Sequence, residues 1–193
     1  MPESLVVRSI PEGVTPNMLS WGRIVVVPMI WVSYLFNPLI ALFLYVLACY
    51  TDWVDGKLAR ERGMSTASGK RLDEVADKFL VVSVFLVLFV DEVILFDLQS
   101  RMFWASVTII TRDLILSAMR SYWEERAAKV PSLFLAKLKT FSLMPSLGFL
   151  LYSGGGYAYA EMAYKVGEVL LVVALACAVI SLFQYIYLFY KEG

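Results

Sequence analysis

The stretch Thr51–Lys78 reads TDWVDGKLARERGMSTASGKRLDEVADK and carries the most concentrated chemistry of the chain. Asp52 and Asp55 are three residues apart, and Asp73 and Asp77 are four residues apart. On an α-helix such spacings place each pair on one face. The glycines and serines between the two pairs are typical of a turn. The stretch therefore predicts a helical hairpin whose four carboxylates converge at one end.

The chain as a whole is strongly apolar. Of its 193 residues, 60% are apolar or aromatic and 18% are charged, and the mean hydropathy is +0.69. Soluble domains average about 45–50% apolar and about 25% charged residues. This composition excludes a cytosolic globular enzyme, a disordered chain and a disulfide scaffold. It predicts an all-α polytopic membrane protein, because a membrane-spanning helix needs about 20 residues and roughly six or seven of them fit.

Six apolar runs predict six transmembrane helices within one membrane domain, residues 1–193, which opens with a juxtamembrane segment at 1–17. The second and third runs reach spanning length only if the charged stretch between them supplies the missing helical turns. Helices two to five would then be apolar in one half and charged in the other, around a polar cavity that marks a functional site. The runs are Met18–Phe36, Leu39–Tyr50, Phe79–Val90, Met102–Trp123, Leu133–Tyr152 and Val166–Tyr190.

The basic residues predict the orientation in the membrane. If both termini and the 2–3 and 4–5 connections lie on one side, that side holds all 17 Lys and Arg except Arg101 and Lys165. The positive-inside rule makes this side cytoplasmic. We therefore expect a multi-pass protein of the cell (inner) membrane, with both termini and the polar cavity facing the cytoplasm.

The charge pattern limits the chemistry. The net charge is zero, which argues against a nucleic-acid partner because phosphate backbones attract clustered Lys and Arg. The chain has no His, so proton transfer must use carboxylates, Lys, Tyr or water. Four close carboxylates repel one another unless cations neutralise them, and Mg²⁺ commonly binds carboxylates together with substrate phosphates. The alternative is a solvated hairpin whose acids pair with neighbouring Lys and Arg.

The same stretch has the form D-x₂-D-G-x₂-A-R-x₈-G-x₃-D-x₃-D, which resembles the signature of the CDP-alcohol phosphotransferase family. Members of that family are six-helix membrane enzymes, commonly homodimers, that use divalent metals and release CMP. The fixed positions are filled here by Asp52, Asp55, Gly56, Ala59, Arg60, Gly69, Asp73 and Asp77.

The resemblance implies a role for each of these residues. Asp77 would be the general base on the acceptor hydroxyl. Two divalent ions, Mg²⁺ or Mn²⁺, would be held by Asp52, Asp55, Asp73 and Asp77. The cytidine diphosphate would contact Asp52, Gly56, Ala59, Arg60, Gly69 and Asp73.

Segments outside the signature resemble the phosphatidylglycerophosphate synthase branch of the family. They include TRDLILSAMR at Thr111–Arg120 and AKLKT at Ala136–Thr140, whereas Glu74 departs from the Pro expected in that branch. The resemblance implies CDP-diacylglycerol as donor and glycerol 3-phosphate as acceptor, in contact with membrane lipids. An acceptor phosphate needs cations, and the candidates are Arg23, Arg112, Arg120, Lys137 and Lys139.

Three other functions stay open. Another CDP-alcohol phosphotransferase of the family would use the same donor chemistry with a different acceptor. A cardiolipin synthase that uses CDP-diacylglycerol would share the family's chemistry but take a lipid as acceptor. A metal transporter would also carry carboxylates inside the membrane. Against a transporter, the acids cluster at one membrane face and no acidic track continues through the last two helices.

Overall fold

The computed structural model describes residues 5–11, 13–64, 66–91, 101–125 and 133–192. Within these ranges the regular secondary structure is helical, which confirms the predicted all-α class. The helices are α1 (Leu5–Arg8), α2 (Pro16–Phe36), α3 (Pro38–Glu61), α4 (Ala67–Val90), α5 (Arg101–Glu125), α6 (Phe134–Ser153) and α7 (Ala160–Glu192).

Each predicted apolar run lies in one of the helices α2 to α7, apart from Leu133, which directly precedes α6. The second and third runs are extended through the charged stretch, as their short length required, so that α3 and α4 are each 24 residues long. At about 1.5 Å per residue, each of these helices is roughly 36 Å long. Their charged halves belong to the same continuous helices as their apolar halves.

Five helices in the described part of the chain are long and apolar enough to cross a membrane: α2, α3, α5, α6 and α7. The helix α4 is as long as α3, but its first half is rich in charged residues. The charged residues of that half are Lys70, Arg71, Asp73, Glu74, Asp77 and Lys78. A polytopic membrane protein is thereby confirmed, and the predicted count of six spans stays a prediction.

The outer faces of these helices are apolar. Leu35, Phe36 and Phe141 are 77%, 83% and 78% exposed, respectively. Soluble monomers rarely expose contiguous apolar surface of this kind. Such faces suit a hydrocarbon environment, in which exposed apolar side chains carry no hydration cost.

The chain divides into two compact units, the first at residues 1–87. In this unit α2 begins at Pro16, and the preceding Thr15 accepts a hydrogen bond from the amide of Met18. Asn37 then ends α2 and starts α3. Its amide donates to the carbonyl of Ser33, and its side chain accepts from the amide of Leu39 at 2.9 Å. A one-residue turn therefore joins two long helices that pack along each other.

The second unit, residues 88–193, contains α5, α6 and α7. The helices α6 and α7 approach closely at Gly167, whose carbonyl accepts a hydrogen bond of 2.7 Å from the hydroxyl of Ser146. A Cβ at Gly167 would come within 2.8 Å of a side-chain carbon of Leu150. Small residues permit this kind of close packing between membrane helices. The helix α5 packs on α7 through the ring pair Trp123–Tyr185.

The side chain of Arg62, at the C-terminal end of α3, binds the segment that contains the short helix α1. The guanidinium of Arg62 donates to the carbonyl oxygens of Val7 at 3.0 Å, Ile10 at 2.8 Å and Pro11 at 3.3 Å. Val7 is fully buried. The orphan carbonyls at the C-terminal end of α1 are thus satisfied by a cation, which is also the favourable charge for a helix C-terminus.

We predict that Arg62→Ala releases the segment 5–11 without unfolding the rest of the chain. Hydrogen bonds to charged groups contribute about 1.5–3 kcal/mol, so amide exchange in this segment should accelerate about tenfold or more. Hydrogen–deuterium exchange read by mass spectrometry measures this. The control Arg71→Ala removes an exposed cation nearby. Equal exchange in both variants would contradict the anchoring role of Arg62.

Candidate active site

The four predicted carboxylates lie together where α3 and α4 face each other. Asp52 and Asp55 lie on the charged half of α3, and Asp73 and Asp77 lie on the charged half of α4. One oxygen from each of Asp52, Asp55 and Asp73 lies within 4.8 Å of the others. The hairpin and the convergence of the two carboxylate pairs are therefore as the spacing predicted.

Arg23 of α2 lies at the centre of this cluster. Its Nη1 is 2.8 Å from Asp52, 3.3 Å from Asp73 and 2.5 Å from Asp77. Its Nη2 is 2.5 Å from Asp55, which also accepts a long hydrogen bond from another α2 side chain. The Arg23 side chain has no exposed surface. One guanidinium therefore binds all four carboxylates and is itself shielded from solvent.

This arrangement leaves the cluster electrically unbalanced. With all four carboxylates ionised, one guanidinium leaves a net charge of −3. Asp55 is buried, whereas Asp52, Asp73 and Asp77 are half-buried and open to solvent on one side. Negative charge in such a setting is stabilised by further cations that enter from solvent.

The donor set suits a hard divalent cation. Oxygens bind Mg²⁺ or Ca²⁺ at about 2.0–2.6 Å, so two ligands on opposite sides of one ion are roughly 4–5 Å apart. The oxygens of Asp52, Asp55 and Asp73 all lie within 4.8 Å of one another, close enough to bind one such ion. The residues present therefore fit the metal that the signature implies.

A cleft that is open to solvent adjoins the carboxylates. Five residues of the signature line this cleft. Four other polar residues also line it, and the sequence analysis did not predict them as ligands. The signature residues are Asp55, Gly56, Ala59, Gly69 and Asp73. The further residues are Asn17, Ser20, Thr66 and Lys70.

Gly69 of the signature has a steric reason to lack a side chain. A Cβ at Gly69 would lie 2.6 Å from the side-chain oxygen of Asn17 and 2.9 Å from that of Thr66. The Thr66 hydroxyl also accepts a hydrogen bond from the amide of Gly69 at 3.0 Å and so caps α4. At Gly56, a Cβ would lie in ordinary contact with the guanidinium of Arg60, at 3.5 Å. Arg60 is exposed and its guanidinium lies over the glycine.

Thr66 could have been recognised from the sequence, because a threonine three residues before Gly69 at a helix start is a capping pattern. Asn17 carries no such local signal, since its closeness to Gly69 depends on how α2 packs against the hairpin. Glu74, the departure from the expected Pro, continues α4 and accepts a hydrogen bond from Lys78 at 2.9 Å. The departure therefore leaves the carboxylate helix regular.

A second charged cluster lies in the second unit. Asp113 binds two cations: its Oδ1 is 2.8 Å from Nη1 of Arg112, and its Oδ2 is 2.6 Å from Nζ of Lys139. Nη2 of Arg112 donates to the hydroxyl of Ser181 at 2.6 Å. Arg112 and Lys139, two of the predicted acceptor cations, are thus brought together and are both buried.

The other predicted acceptor cations have different surroundings. Lys137 is exposed although Lys139 is buried, because residues two apart do not share a helix face. Arg120 is half-buried, two helical turns after Arg112 on α5. Arg23 is bound to the carboxylates of the first unit, and its assignment to an acceptor phosphate stays a prediction.

Comparison with known proteins agrees with this geometry. The family model described as CDP-alcohol phosphatidyltransferase matches residues 13–181. Similar proteins include the CDP-diacylglycerol–glycerol-3-phosphate 3-phosphatidyltransferases of three bacteria. That of Rickettsia felis is 32% identical over 88% of this chain and 92% of its own length. That of Rickettsia prowazekii is 33% identical over 88% and 92%, and that of Haemophilus influenzae is 31% identical over 89% and 90%.

The matched region contains both carboxylate pairs, the small residues of the cleft and the buried cations of the second unit. It covers most of the chain, and the chain in turn covers nearly the full length of these relatives. The chain belongs to the CDP-alcohol phosphatidyltransferase family.

Proposed function

We propose that this protein is a phosphatidylglycerophosphate synthase. It transfers the phosphatidyl group of CDP-diacylglycerol to sn-glycerol 3-phosphate and releases CMP. One observation supports this proposal most strongly. The converging carboxylates of Asp52, Asp55 and Asp73 lie beside a cleft that is lined by small residues of the signature, namely Gly56, Ala59 and Gly69. The names of the relatives supply the donor and the acceptor.

The carboxylates are assigned to metal binding. Proteins of this family generally use divalent metals, and we assign two ions, Mg²⁺ or Mn²⁺, to Asp52, Asp55, Asp73 and Asp77. When bound, these ions supply positive charge to the reacting phosphate oxygens. The small residues of the cleft let the diphosphate of the donor lie against the α3 backbone, and Arg60 contacts a phosphate.

Asp77 is assigned as the general base. Its Oδ1 accepts from Arg23, so we assign the proton of the acceptor hydroxyl to Oδ2. The hydroxyl oxygen forms a bond to the lipid-linked phosphorus, the bond from that phosphorus to the bridging oxygen breaks, and CMP leaves with that oxygen. A carboxylate base suits a chain without histidine.

The acceptor phosphate is assigned to the predicted cations. Arg112 and Lys139 are buried and held by Asp113, a charge pattern that favours an anion over a neutral alcohol. We also assign Arg23, Arg120 and Lys137 to binding of this phosphate.

The cellular setting completes the proposal. We assign the protein to the cell (inner) membrane as a homodimer, with one membrane domain per chain and the active site and both termini in the cytoplasm. The distribution of Lys and Arg supports this orientation.

Purified protein in detergent, supplied with Mg²⁺ or Mn²⁺, CDP-diacylglycerol and radiolabelled glycerol 3-phosphate, tests the proposal. Formation of labelled phosphatidylglycerophosphate with release of CMP is expected. A cardiolipin synthase would instead consume phosphatidylglycerol and ignore glycerol 3-phosphate. A metal transporter would release no CMP with any acceptor.

Asp77→Asn is predicted to lower kcat by about 10²–10⁴-fold, the usual contribution of a general base. The substitution keeps the size of the side chain, so CDP-diacylglycerol binding should persist. Glu74→Gln, one turn earlier on α4 and paired with Lys78, is the matched control and should keep full activity. An Asn variant with more than about a tenth of the wild-type kcat would exclude Asp77 as the base.

Arg23→Gln is predicted to destabilise the metal-free protein more than the metal-loaded protein. Breaking a buried ion pair costs about 3–5 kcal/mol, and divalent ions should offset part of this by neutralising the same carboxylates. Thermal unfolding in chelator and in excess Mg²⁺ measures the difference, with Arg71→Gln as the control for loss of an exposed cation. Equal losses of unfolding temperature in both conditions would show that Arg23 and the ions act independently.

Arg112→Gln and Lys137→Gln are predicted to raise the KM for glycerol 3-phosphate far more than the KM for CDP-diacylglycerol. A charge-assisted hydrogen bond contributes about 1.5–3 kcal/mol, which corresponds to roughly a ten- to hundred-fold change. Lys165→Gln removes an exposed cation of the same unit and serves as the control. An unchanged acceptor KM in both variants would remove the basis for a phosphate site here.

A further inference from the structure

The buried charged cluster of the second unit joins three helices through one carboxylate. Asp113 on α5 contacts Arg112 of its own helix and Lys139 of α6, and Arg112 reaches Ser181 of α7. The side chains of Arg112 and Lys139 are only 6% and 7% exposed, whereas that of Asp113 is 19% exposed. Both cations are therefore buried, and the carboxylate that they share is the most accessible of the three groups.

Two cations of this cluster share one carboxylate. Each oxygen of Asp113 binds a different cation. Two cations and one carboxylate carry a net charge of +1. Both terminal nitrogens of Arg112 have partners, but its Nε is buried and has no hydrogen-bond partner among the described residues. A buried donor without a partner is costly unless a ligand satisfies it.

Ser181 is oriented to support this arrangement. Its hydroxyl donates to the carbonyl of Ala178 at 3.0 Å, which turns the oxygen lone pairs toward Nη2 of Arg112. The guanidinium is thus fixed at both ends, by Asp113 through Nη1 and by Ser181 through Nη2. A planar group held at two points has a defined direction for its third donor, Nε.

We propose that Asp113 is a positioning residue of the acceptor site: it holds Arg112 and Lys139 in place to bind the phosphate of the acceptor, and Ser181 fixes the direction of Arg112. This inference rests on the proposed function, because it takes Arg112 and Lys139 as acceptor-binding cations. Asp113 acts through them and touches neither substrate.

A purely structural tie between the three helices is the competing explanation. Buried charged groups are expensive in a membrane protein and are found mainly where function requires them. Well-packed apolar residues of similar volume commonly serve as well as, or better than, a buried ion pair for stability alone. Stability therefore gives little reason to keep two cations here, whereas binding of a phosphate does.

Substitutions of Asp113 separate the two explanations. Asn has one acceptor oxygen and places an amide N–H₂ against the second cation, so Asp113→Asn cannot hold both cations. Glu keeps two acceptor oxygens on a side chain one methylene longer, so Asp113→Glu should recover part of the loss. Ser181→Ala removes one bond to Arg112 and leaves Asp113 intact. The control Glu161→Gln removes an exposed carboxylate that is paired with Lys165 in the same unit.

Steady-state kinetics in detergent with both substrates, together with unfolding temperatures, distinguish a positioning role of Asp113 from a purely structural one. We expect Asp113→Asn to raise the KM for glycerol 3-phosphate about tenfold or more, and Ser181→Ala to raise it severalfold. The KM of Asp113→Glu for glycerol 3-phosphate should be closer to that of the wild type. The KM for CDP-diacylglycerol should stay near its wild-type value in all three variants. Glu161→Gln should change neither KM.

A lower unfolding temperature with both KM values unchanged would show a structural tie and overturn the inference. A parallel rise of both KM values would overturn it as well. If Asp113→Asn does not fold, Ser181→Ala decides alone, and an unchanged acceptor KM in that variant rejects the inference. If Arg112→Gln raises the acceptor KM and neither Asp113→Asn nor Ser181→Ala does, only this inference fails. Wild-type protein that does not use glycerol 3-phosphate would instead refute the proposed function.

Discussion

The contact between the guanidinium of Arg23 and four carboxylates organises the first unit. Two of these acids lie on α3 and two on α4, so Arg23 of α2 ties three helices to one point. Without a cation, four negative charges at this distance would push the hairpin open. The same closeness that makes the acids useful for metal binding makes them unstable alone. A buried arginine resolves this conflict from within the chain.

The turn at Asn37 determines which residues meet. Arg23 precedes Asn37 by 14 residues, and Asp52 follows it by 15. In two antiparallel helices joined by a one-residue turn, positions equally far from the turn lie at the same height, here about 21–23 Å away from it. The side chain of Arg23 therefore reaches the level of the first aspartate pair. An insertion of one residue in either helix would rotate it by about 100° and remove it from the cluster.

Local spacing explains why much of the site was predictable from the sequence. The spacing of the aspartates predicts that those of α3 share one face and those of α4 share another. The apolar runs were too short to span a membrane alone, which predicted that both helices continue through the charged stretch. The partners of these groups on other helices were not predictable in this way. The contact of Arg23 with the four aspartates was not predicted, because the sequence around a basic residue on a membrane helix does not indicate which acid on another helix it will contact. The contacts of Asp113 were likewise not predictable from local spacing, since its second partner lies on α6.

The two charged clusters are built on the same plan with opposite signs. In the first unit one arginine is surrounded by four aspartates, and in the second one aspartate lies between an arginine and a lysine. In each cluster the single opposite charge reduces the repulsion between the like charges. With every group ionised, the five groups of the first cluster carry a formal charge of −3 and the three groups of the second a formal charge of +1. In both, the Nε of the arginine is buried and has no hydrogen-bond partner within the described ranges. A ligand of opposite charge would offset the formal charge that each cluster carries. In the proposed reaction the negative cluster takes the metal ions and the positive cluster takes the acceptor phosphate, so each cluster retains the charge opposite to that of its ligand.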